Sequence, residues 1–372
     1  MNIFRQNQSN KKTLKITTLS PLNIGCGDSY TNLDYYIEDN KAKIIDIEKM
    51  MDSIGDIDKI NQMQNLIKSN MGNNRLTISV KELYEGIGIY PDEYISKEIN
   101  CKIENDARVQ VAKFINQNGN YYIPGSSLKG AIRTAYIFDY YNKNINKLIG
   151  ILKDSKIPPF KKGSEVVKIA IGGIKDDFFK HLLITDSGFI SPENFEFIET
   201  KRYNIENKKR NKPNVYGNKE CKEVLKRNSN FNVELTIKKD FPKNFNDIKN
   251  MCNNLTGTII EFETNNEYLP QSLKDFYKNN ILNNLNKDNT FYLAVGSGSS
   301  FLSKTIYLLL WKHDKGNSKG YLKIMKSLFE RERNPNLRKS WKSARHFSEF
   351  PRTRVIETNK EIPIGWIKIT AE

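Results

Sequence analysis

The stretch from Tyr121 to Tyr140 constrains the fold of this 372-residue chain more than any other. It reads Tyr121-Tyr122-Ile123-Pro124-Gly125-Ser126-Ser127-Leu128-Lys129-Gly130-Ala131-Ile132-Arg133-Thr134-Ala135-Tyr136-Ile137-Phe138-Asp139-Tyr140. Aromatic and β-branched residues open it as a short strand. Pro124 has no N–H and Gly125 permits a tight reversal, so the strand stops there. Ser126 or Ser127 is then placed to cap a helix. Leu128, Ala131, Ile132, Ala135 and Tyr136 recur at i, i+3, i+4 spacing and predict one apolar stripe. Ser126, Lys129, Gly130 and Arg133 share the other face, near the positive end of the helix dipole. Hydroxyls, free N–H groups and two cations one turn apart suit phosphate oxygens, and Gly130 lets a ligand backbone come close. Spacing alone leaves this open against an ordinary capped helix with a solvated basic face.

Charge narrows the partners. Lys and Arg number 59 against 43 Asp and Glu, a net +16. That excess favours a polyanion, with nucleic acid ahead of an anionic membrane surface. The longest apolar run, Ile306 to Trp311, is core-sized and too short to span a membrane. Met1 to Lys12 is polar with no apolar signal core, so a cytoplasmic protein is expected. Cys26, Cys101, Cys221 and Cys252 are scattered, as are His181, His313 and His346. Neither zinc spacing nor a disulfide framework emerges, and no metal or cofactor is expected.

Along the chain, Leu14–Thr18 alternates as a strand and leads into Gly25-Cys26-Gly27, read as a turn whose glycines could cradle a phosphate. No third glycine opens a helix, so a dinucleotide fingerprint is not supported. Tyr35–Ile37 and Ala42–Ile47 predict strands joined at Asn40. A polar helical insertion follows, with Met50, Met51, Ile54, Ile57 and Ile60 at near-helical intervals. Pro158 and Pro159 predict a loop over Lys156–Gly163. His181–Ser187 predicts a strand ending near Asp186. Lys201–Arg227 is the most basic long stretch, with Lys208, Lys209 and Arg210 at its middle and Tyr203 and Tyr216 able to stack on bases. Its Asn and Gly content predicts a loop. Phe231–Ile237 predicts a strand, and Phe245–Phe262 and Gln271–Leu285 predict helices. Phe291–Thr305 then repeats strand, Gly296-Ser297-Gly298 turn, and a helix bearing Lys304, an echo that suggests two related modules. Basic Lys319–Arg345, Pro351-Arg352-Thr353-Arg354 and a last strand from Trp366 close the chain.

Positive signs of catalysis are few. Gly298–Thr305 nearly spells a P-loop, but Ser303 stands where the glycine before the lysine should wrap the phosphates. Asp28, Asp34 and Asp186 are too dispersed to read as a metal-binding acid cluster. The residues alone describe a cytosolic nucleic-acid-binding protein. A metal-dependent or metal-free endoribonuclease using Asp34 or Asp186 stays as the alternative, and a pure protein–protein adaptor as a third reading.

Several ordered blocks resemble the RAMP proteins of type III CRISPR effector complexes, most closely the Csm-type subunit that caps the crRNA 3′ end of the type III-A backbone filament. They are Thr18-Leu19-Ser20-Pro21-Leu22-Asn23-Ile24-Gly25-Cys26-Gly27, Ile123 through Thr134, Ile184-Thr185-Asp186-Ser187, Val295-Gly296-Ser297-Gly298 with Phe301–Thr305, Pro351-Arg352-Thr353 and Pro363-Ile364-Gly365-Trp366. The resemblance implies an α+β fold of two RRM-like (ferredoxin-like) modules with helical and loop insertions. The expected division is 1–195, with a helical insertion at about 48–118, and 196–372, with a basic loop at 201–227. It implies a non-catalytic subunit that binds the 3′ part of crRNA, docks on neighbouring backbone subunits and supports 3′-end maturation by shielding that end or recruiting separate nucleases, with target RNA as a candidate further partner. The expected RNA contacts are Gly25, Gly27, Ser126, Ser127, Lys129, Gly130, Arg133, Lys208, Lys209, Arg210, Gly296, Gly298, Lys304, Arg352 and Arg354. Asn23 stands where the family commonly has histidine, so no acid–base role carries over. Asp34 lies near the place of the related backbone subunit's target-cleaving aspartate and is read here as structural or vestigial. The alternative enzyme would act on crRNA precursor or target RNA.

Overall fold

Alternating burial makes Asn10–Thr18 the centre of a five-stranded sheet: Leu14, Ile16 and Thr18 turn inward while Lys15 faces out. The computed structural model describes residues 10–72, 75–103, 110–205, 215–285, 287–314 and 350–372, with isolated positions between 328 and 339. The central strand pairs antiparallel with Asn230–Ile237 on one flank and Trp366–Ala371 on the other. Leu182–Ile184 and Thr290–Ala294 form the two edges. Helices Gly125–Lys143 and Phe245–Thr264 pack on each other and against this sheet. The expected stripe of the first is buried at Leu128, Ile132 and Ala135 and half-buried at Ala131 and Tyr136. The second starts at a capping box in which Asn244 and Asp247 satisfy each other's backbone N–H.

An eight-stranded sheet forms the other half of the core. Its order is Gly25–Tyr30, Val111–Phe114, Val215–Leu225, Phe195–Asn204, Ile95–Cys101, Lys41–Ile45 and Tyr35–Glu38, with Thr353–Glu357 added on Phe195–Asn204. Tyr30 and Tyr35 belong to the first and last strands of that order, yet their ring centroids lie 6.4 Å apart. Both rings also sit 5.6 Å from Phe197. The sheet therefore curls back on itself around an aromatic filling. The architecture is α+β with two curled sheets, of the RRM-like (ferredoxin-like) kind that the sequence implied. Each sheet draws strands from both sides of residue 195.

Four local expectations are corrected. Helices Ile47–Ile54, Ile57–Ser69 and Val80–Glu85 share a small core of Tyr36, Met50, Ile54, Val80 and Tyr84, but Ile95–Cys101 and Val111–Phe114, inside the expected helical insertion, are strands of the large sheet. Pro159 opens helix Pro159–Ile171 instead of a loop, because proline at the first helical position gives up an N–H that has no partner anyway. The stretch 201–227 is mostly the paired strands Phe195–Asn204 and Val215–Leu225, and Lys208, Lys209 and Arg210 lie outside the described residues. The helix expected over Gln271–Leu285 ends at Asn280 and continues as a short turn, Leu282–Asn284. Basic Lys319–Arg345 lies almost wholly outside the described residues.

Candidate nucleic-acid interface

The helix Gly125–Lys143 begins one residue before the expected serine cap, and neither Ser126 nor Ser127 caps it. The cap comes from elsewhere in the chain. Asp186 Oδ1 accepts the Gly125 N–H at 2.8 Å, placing a carboxylate at the positive helix end. Beside it, the Ile123 N–H donates to Ser187 Oγ at 2.9 Å and the Ser187 N–H to the Ile123 carbonyl at 3.0 Å. The approach is so close that a Cβ on Gly125 would stand 2.2 Å from the Ile184 carbonyl oxygen. Two blocks noted in the sequence, 123–134 and 184–187, are thus one stitched unit.

On the outer face Ser126 and Gly130 are exposed, while Lys129 and Arg133 are half-buried. Arg133 Nη2 pairs with Asp177 Oδ2 at 3.0 Å, which offsets part of its charge. Among the described residues Lys129 has no ion pair. Nothing lies within 4 Å of where a Gly130 Cβ would be, so the protein's own packing does not require glycine there.

The remaining glycines serve a different purpose. Gly25 and Gly27 lie in strand Gly25–Tyr30, where pairing shifts register between Gly25 and Ser29; the expected turn is an exposed edge strand with a bulge. A Cβ on Gly296 would stand 2.1 Å from the Asn23 carbonyl oxygen, and one on Gly298 1.9 Å from that of Ile364. The Ser297 N–H donates to Asn23 O, Gly365 N–H to Pro21 O and Val295 N–H to Gly365 O, each at 2.8 Å. Segments 21–25, 295–298 and 364–365 therefore meet backbone to backbone, and Gly298, the one glycine of the near P-loop, belongs to this seam. Asn23 is buried within it, its Nδ2 donating to the Glu223 carbonyl at 2.8 Å. Lys304 is exposed on the short helix Phe301–Lys304, which touches helix Gly125–Lys143.

Arg354 corrects an expectation. It is only 5% exposed, and its Nε donates to Glu263 at 2.6 and 2.8 Å while its Nη1 serves the Thr353 carbonyl at 3.1 Å and the Pro351 carbonyl. It is a buried, held guanidinium, unable to act as a surface phosphate contact. Arg352 is half-buried, and its carbonyl accepts the Ile205 N–H at 2.9 Å.

Sequence reading missed the most polar point of the core. Glu223 is 0% exposed and accepts from the Phe114 N–H at 2.8 Å, the Tyr30 hydroxyl at 3.4 Å and the Tyr121 hydroxyl. Lys97 Nζ lies 3.8 Å from it, donates to the Tyr121 hydroxyl and sits over that ring at 4.4 Å. Burial pushes the Glu223 carboxyl up and the Lys97 ammonium down, with each partner's charge opposing the shift of the other. Glu223, Tyr30 and Tyr121 are buried inside the curled sheet with Lys97 half-buried beside them, and the cluster ties four of its strands together. Asp34 holds a turn: its Oδ2 accepts from the Thr31 hydroxyl at 2.7 Å and from the Thr31 N–H. Among the described residues no three His, Cys, Asp or Glu side chains converge as a metal site, the four cysteines are free, and no helix is long and apolar enough to cross a membrane.

Two curled sheets thus meet along a glycine seam, with a stitched helix start beside them. The family model described as the RAMP superfamily matches residues 15–301, and the chain belongs to that superfamily. Within it, the chain falls with the Csm5 proteins. It is 41% identical over 373 residues to the CRISPR system Cms protein Csm5 of Methanocaldococcus jannaschii, covering 96% of this chain and 88% of that one. Identity to the protein of the same name from Streptococcus thermophilus is 30% over 189 residues, 47% of this chain and 50% of that one. The fold matches a chain of the cryo-EM Csm–crRNA–target RNA ternary complex of a type III-A CRISPR–Cas system with a TM-score of 0.71 at 18% identity, over 98% of this chain and 100% of that one. It matches the crystal structure of T. onnurineus Csm5 with a TM-score of 0.64 at 19% identity, over 95% and 99%.

Proposed function

We propose that this chain is a non-catalytic, RNA-binding subunit of a type III-A Csm complex that holds the 3′ part of crRNA, caps the backbone filament and supports maturation of the guide 3′ end. The observation that carries the reading is the 41% identity to a Csm5 protein along 96% of the chain. A net charge of +16 and Lys129, without an ion pair among the described residues on an otherwise stitched helix start, are consistent with it. Ser126, Ser127, Lys129, Gly130 and Arg133 form the proposed backbone contact, with exposed Gly25, Gly27 and Lys304 as further proposed contacts. Contacts of this kind position an RNA without reading its bases. Neighbouring Csm subunits and target RNA are the further partners of this reading, since the matched fold occurs in a complex containing them.

Lys129→Ala is expected to weaken single-stranded RNA binding about equally for all sequences. The slope of log K against log salt should fall by about 0.7 for one lost phosphate contact. Arg133→Ala should do less, because Asp177 already offsets that charge. Fluorescence anisotropy over a salt series measures both, and an unchanged slope in Lys129→Ala removes the helix from the interface.

Gly130→Ala separates the two uses of glycine. In an open helix position it should stabilise the fold by roughly 0.5–1 kcal/mol, yet weaken RNA binding if a backbone passes close. A variant with raised stability and unchanged affinity refutes the close approach. Incubation of the purified chain with labelled guide and target RNA, with and without Mg²⁺, should give no cleavage; products that vanish in Asp34→Ala would establish a nuclease instead.

A further inference from the structure

The segment that follows strand Leu182–Ile184 completes the stitched unit and then turns a ring outward. The Ile190 N–H donates to the Tyr121 carbonyl at 2.9 Å, and the two residues form an antiparallel bridge. Together with the Ser187 bonds to Ile123 and the Asp186 bond to Gly125, this fastens residues 186–190 at both ends alongside 121–125. The bridge puts Phe189 beside Tyr122. Tyr121 and Ile123 are buried, while Tyr122 is half-buried and Phe189 is 70% exposed. Single exposed apolar side chains are ordinary on a protein surface, so exposure alone selects nothing. Place and rigidity do.

Three aromatic side chains are exposed among the described residues: Tyr90, Phe160 and Phe189. Tyr90 belongs to the helical insertion, and Phe160 has the Lys161 ammonium 5.9 Å from its ring centroid. Phe189 has neither a ring nor a cation against it among the described residues, and its backbone is already held in place. From Tyr122 the chain reaches the helix start at Gly125 in three residues, about 10 Å when extended. There Ser126 is exposed, and Lys129 leans back toward the helix start as helical side chains do. A serine, a lysine and an arginine beside the ring suit a phosphate backbone better than an apolar protein face. Yet Asp186 already takes the helix-end N–H and Asp177 offsets Arg133, so few charges are left to grip a strand. An exposed ring a few nucleotides away supplies the uncharged part of the grip, since every base has a π-face to lay on it.

We propose that Phe189 is a stacking platform for one base of a single-stranded RNA whose backbone passes Ser126 and Lys129. The proposal rests on the RNA-binding reading above and adds to it a sequence-tolerant, salt-independent contact outside the central helix.

The test uses the full chain and a labelled ten-nucleotide single-stranded RNA in anisotropy titrations over a salt series. Phe189→Ala is expected to weaken binding about tenfold, as loss of one stacked base does, with the salt slope unchanged, whereas Lys129→Ala lowers the slope. Phe189→Leu keeps an apolar side chain without a π-face and should lose nearly as much. Phe189→Trp should bind at least as tightly as wild type, and its added indole fluorescence should be quenched by the RNA. The position is exposed, so all three variants should melt with the wild type, which separates a binding change from unfolding. Wild-type affinity in Phe189→Ala, alongside a lowered slope in Lys129→Ala, overturns the platform and leaves the RNA-binding reading intact. Wild-type affinity in Phe189→Leu also overturns it, because an apolar side chain without a ring then suffices, as it would for docking a protein partner. No RNA binding by the wild-type chain overturns both.

Discussion

Glu223→Ala is expected to lower the unfolding free energy by about 3–5 kcal/mol, the range for removing one member of a buried charge pair. The carboxylate is fully buried, and its loss strands Lys97 and leaves the Phe114 N–H and the Tyr30 hydroxyl without their acceptor. Lys97→Met in the same background should recover part of the loss, because it removes the uncompensated ammonium and keeps its apolar stem. Acidity gives a second readout. Burial holds the folded Glu223 carboxyl above its ordinary range. The folded state then binds that proton more tightly than the unfolded state does. The group's contribution is therefore fully present below about pH 4.3 and is lost as pH rises through the folded value. Glu223→Gln should remove this falling component from the difference between wild-type and variant stability curves. Urea denaturation at a series of pH values measures both effects, and an unchanged midpoint in Glu223→Ala would show that the cluster is not structural.

That cluster also marks the limit of what the sequence made legible. Single elements announced themselves because their signals are local: the stripe from Leu128 to Tyr136 has helical period, and Phe231–Ile237 alternates with the buried pattern that the strand shows. Pairing is another matter. Thr18 opposes Ile367, and Glu223 meets Tyr121 across 102 residues, so no window of sequence contains either contact. The same separation explains how strands from both sides of residue 195 come to share each sheet. Where a local rule failed, a distant group or an alternative local rule had won. Ser126 or Ser127 looked like the cap, but Asp186, brought in by the strand at Leu182–Ile184, takes the Gly125 N–H. Pro159 looked like a helix breaker but sits at the one helical position that tolerates it.

The candidate site was legible in its residue types and less so in their duties. Gly130 is exposed and Lys129 half-buried on the outer face of the helix start, and Arg133 is beside them with a partner that spacing could not show. Arg354 read as one more basic residue in a basic region. Only the fold places Glu263 against it and buries the whole guanidinium. Glycine is the most ambiguous residue of all, since a close approach to a ligand and a close approach to the chain itself leave the same letter in the sequence.

Gly298→Ala resolves that ambiguity at its sharpest point and is expected to destabilise the protein by about 3 kcal/mol or more, the upper end for overpacking. A methyl group there would stand 1.9 Å from the Ile364 carbonyl oxygen and 2.3 Å from its carbon, both backbone atoms. Ile364 has little freedom to retreat. Gly365 next to it donates to Pro21 and accepts from Val295, each at 2.8 Å, so a shift breaks bonds that join three segments of the chain. Ser297→Ala, one residue away with its backbone bond to Asn23 intact, should stay within about 0.5 kcal/mol of wild type as an ordinary surface change does. The pair of variants tells the two meanings of glycine apart. If Gly298 answers to the seam, its alanine variant loses stability in urea whether or not RNA is present. If it answers to RNA, the variant keeps wild-type stability and loses affinity alone, and the glycines at 296 and 298 return to the list of direct RNA contacts.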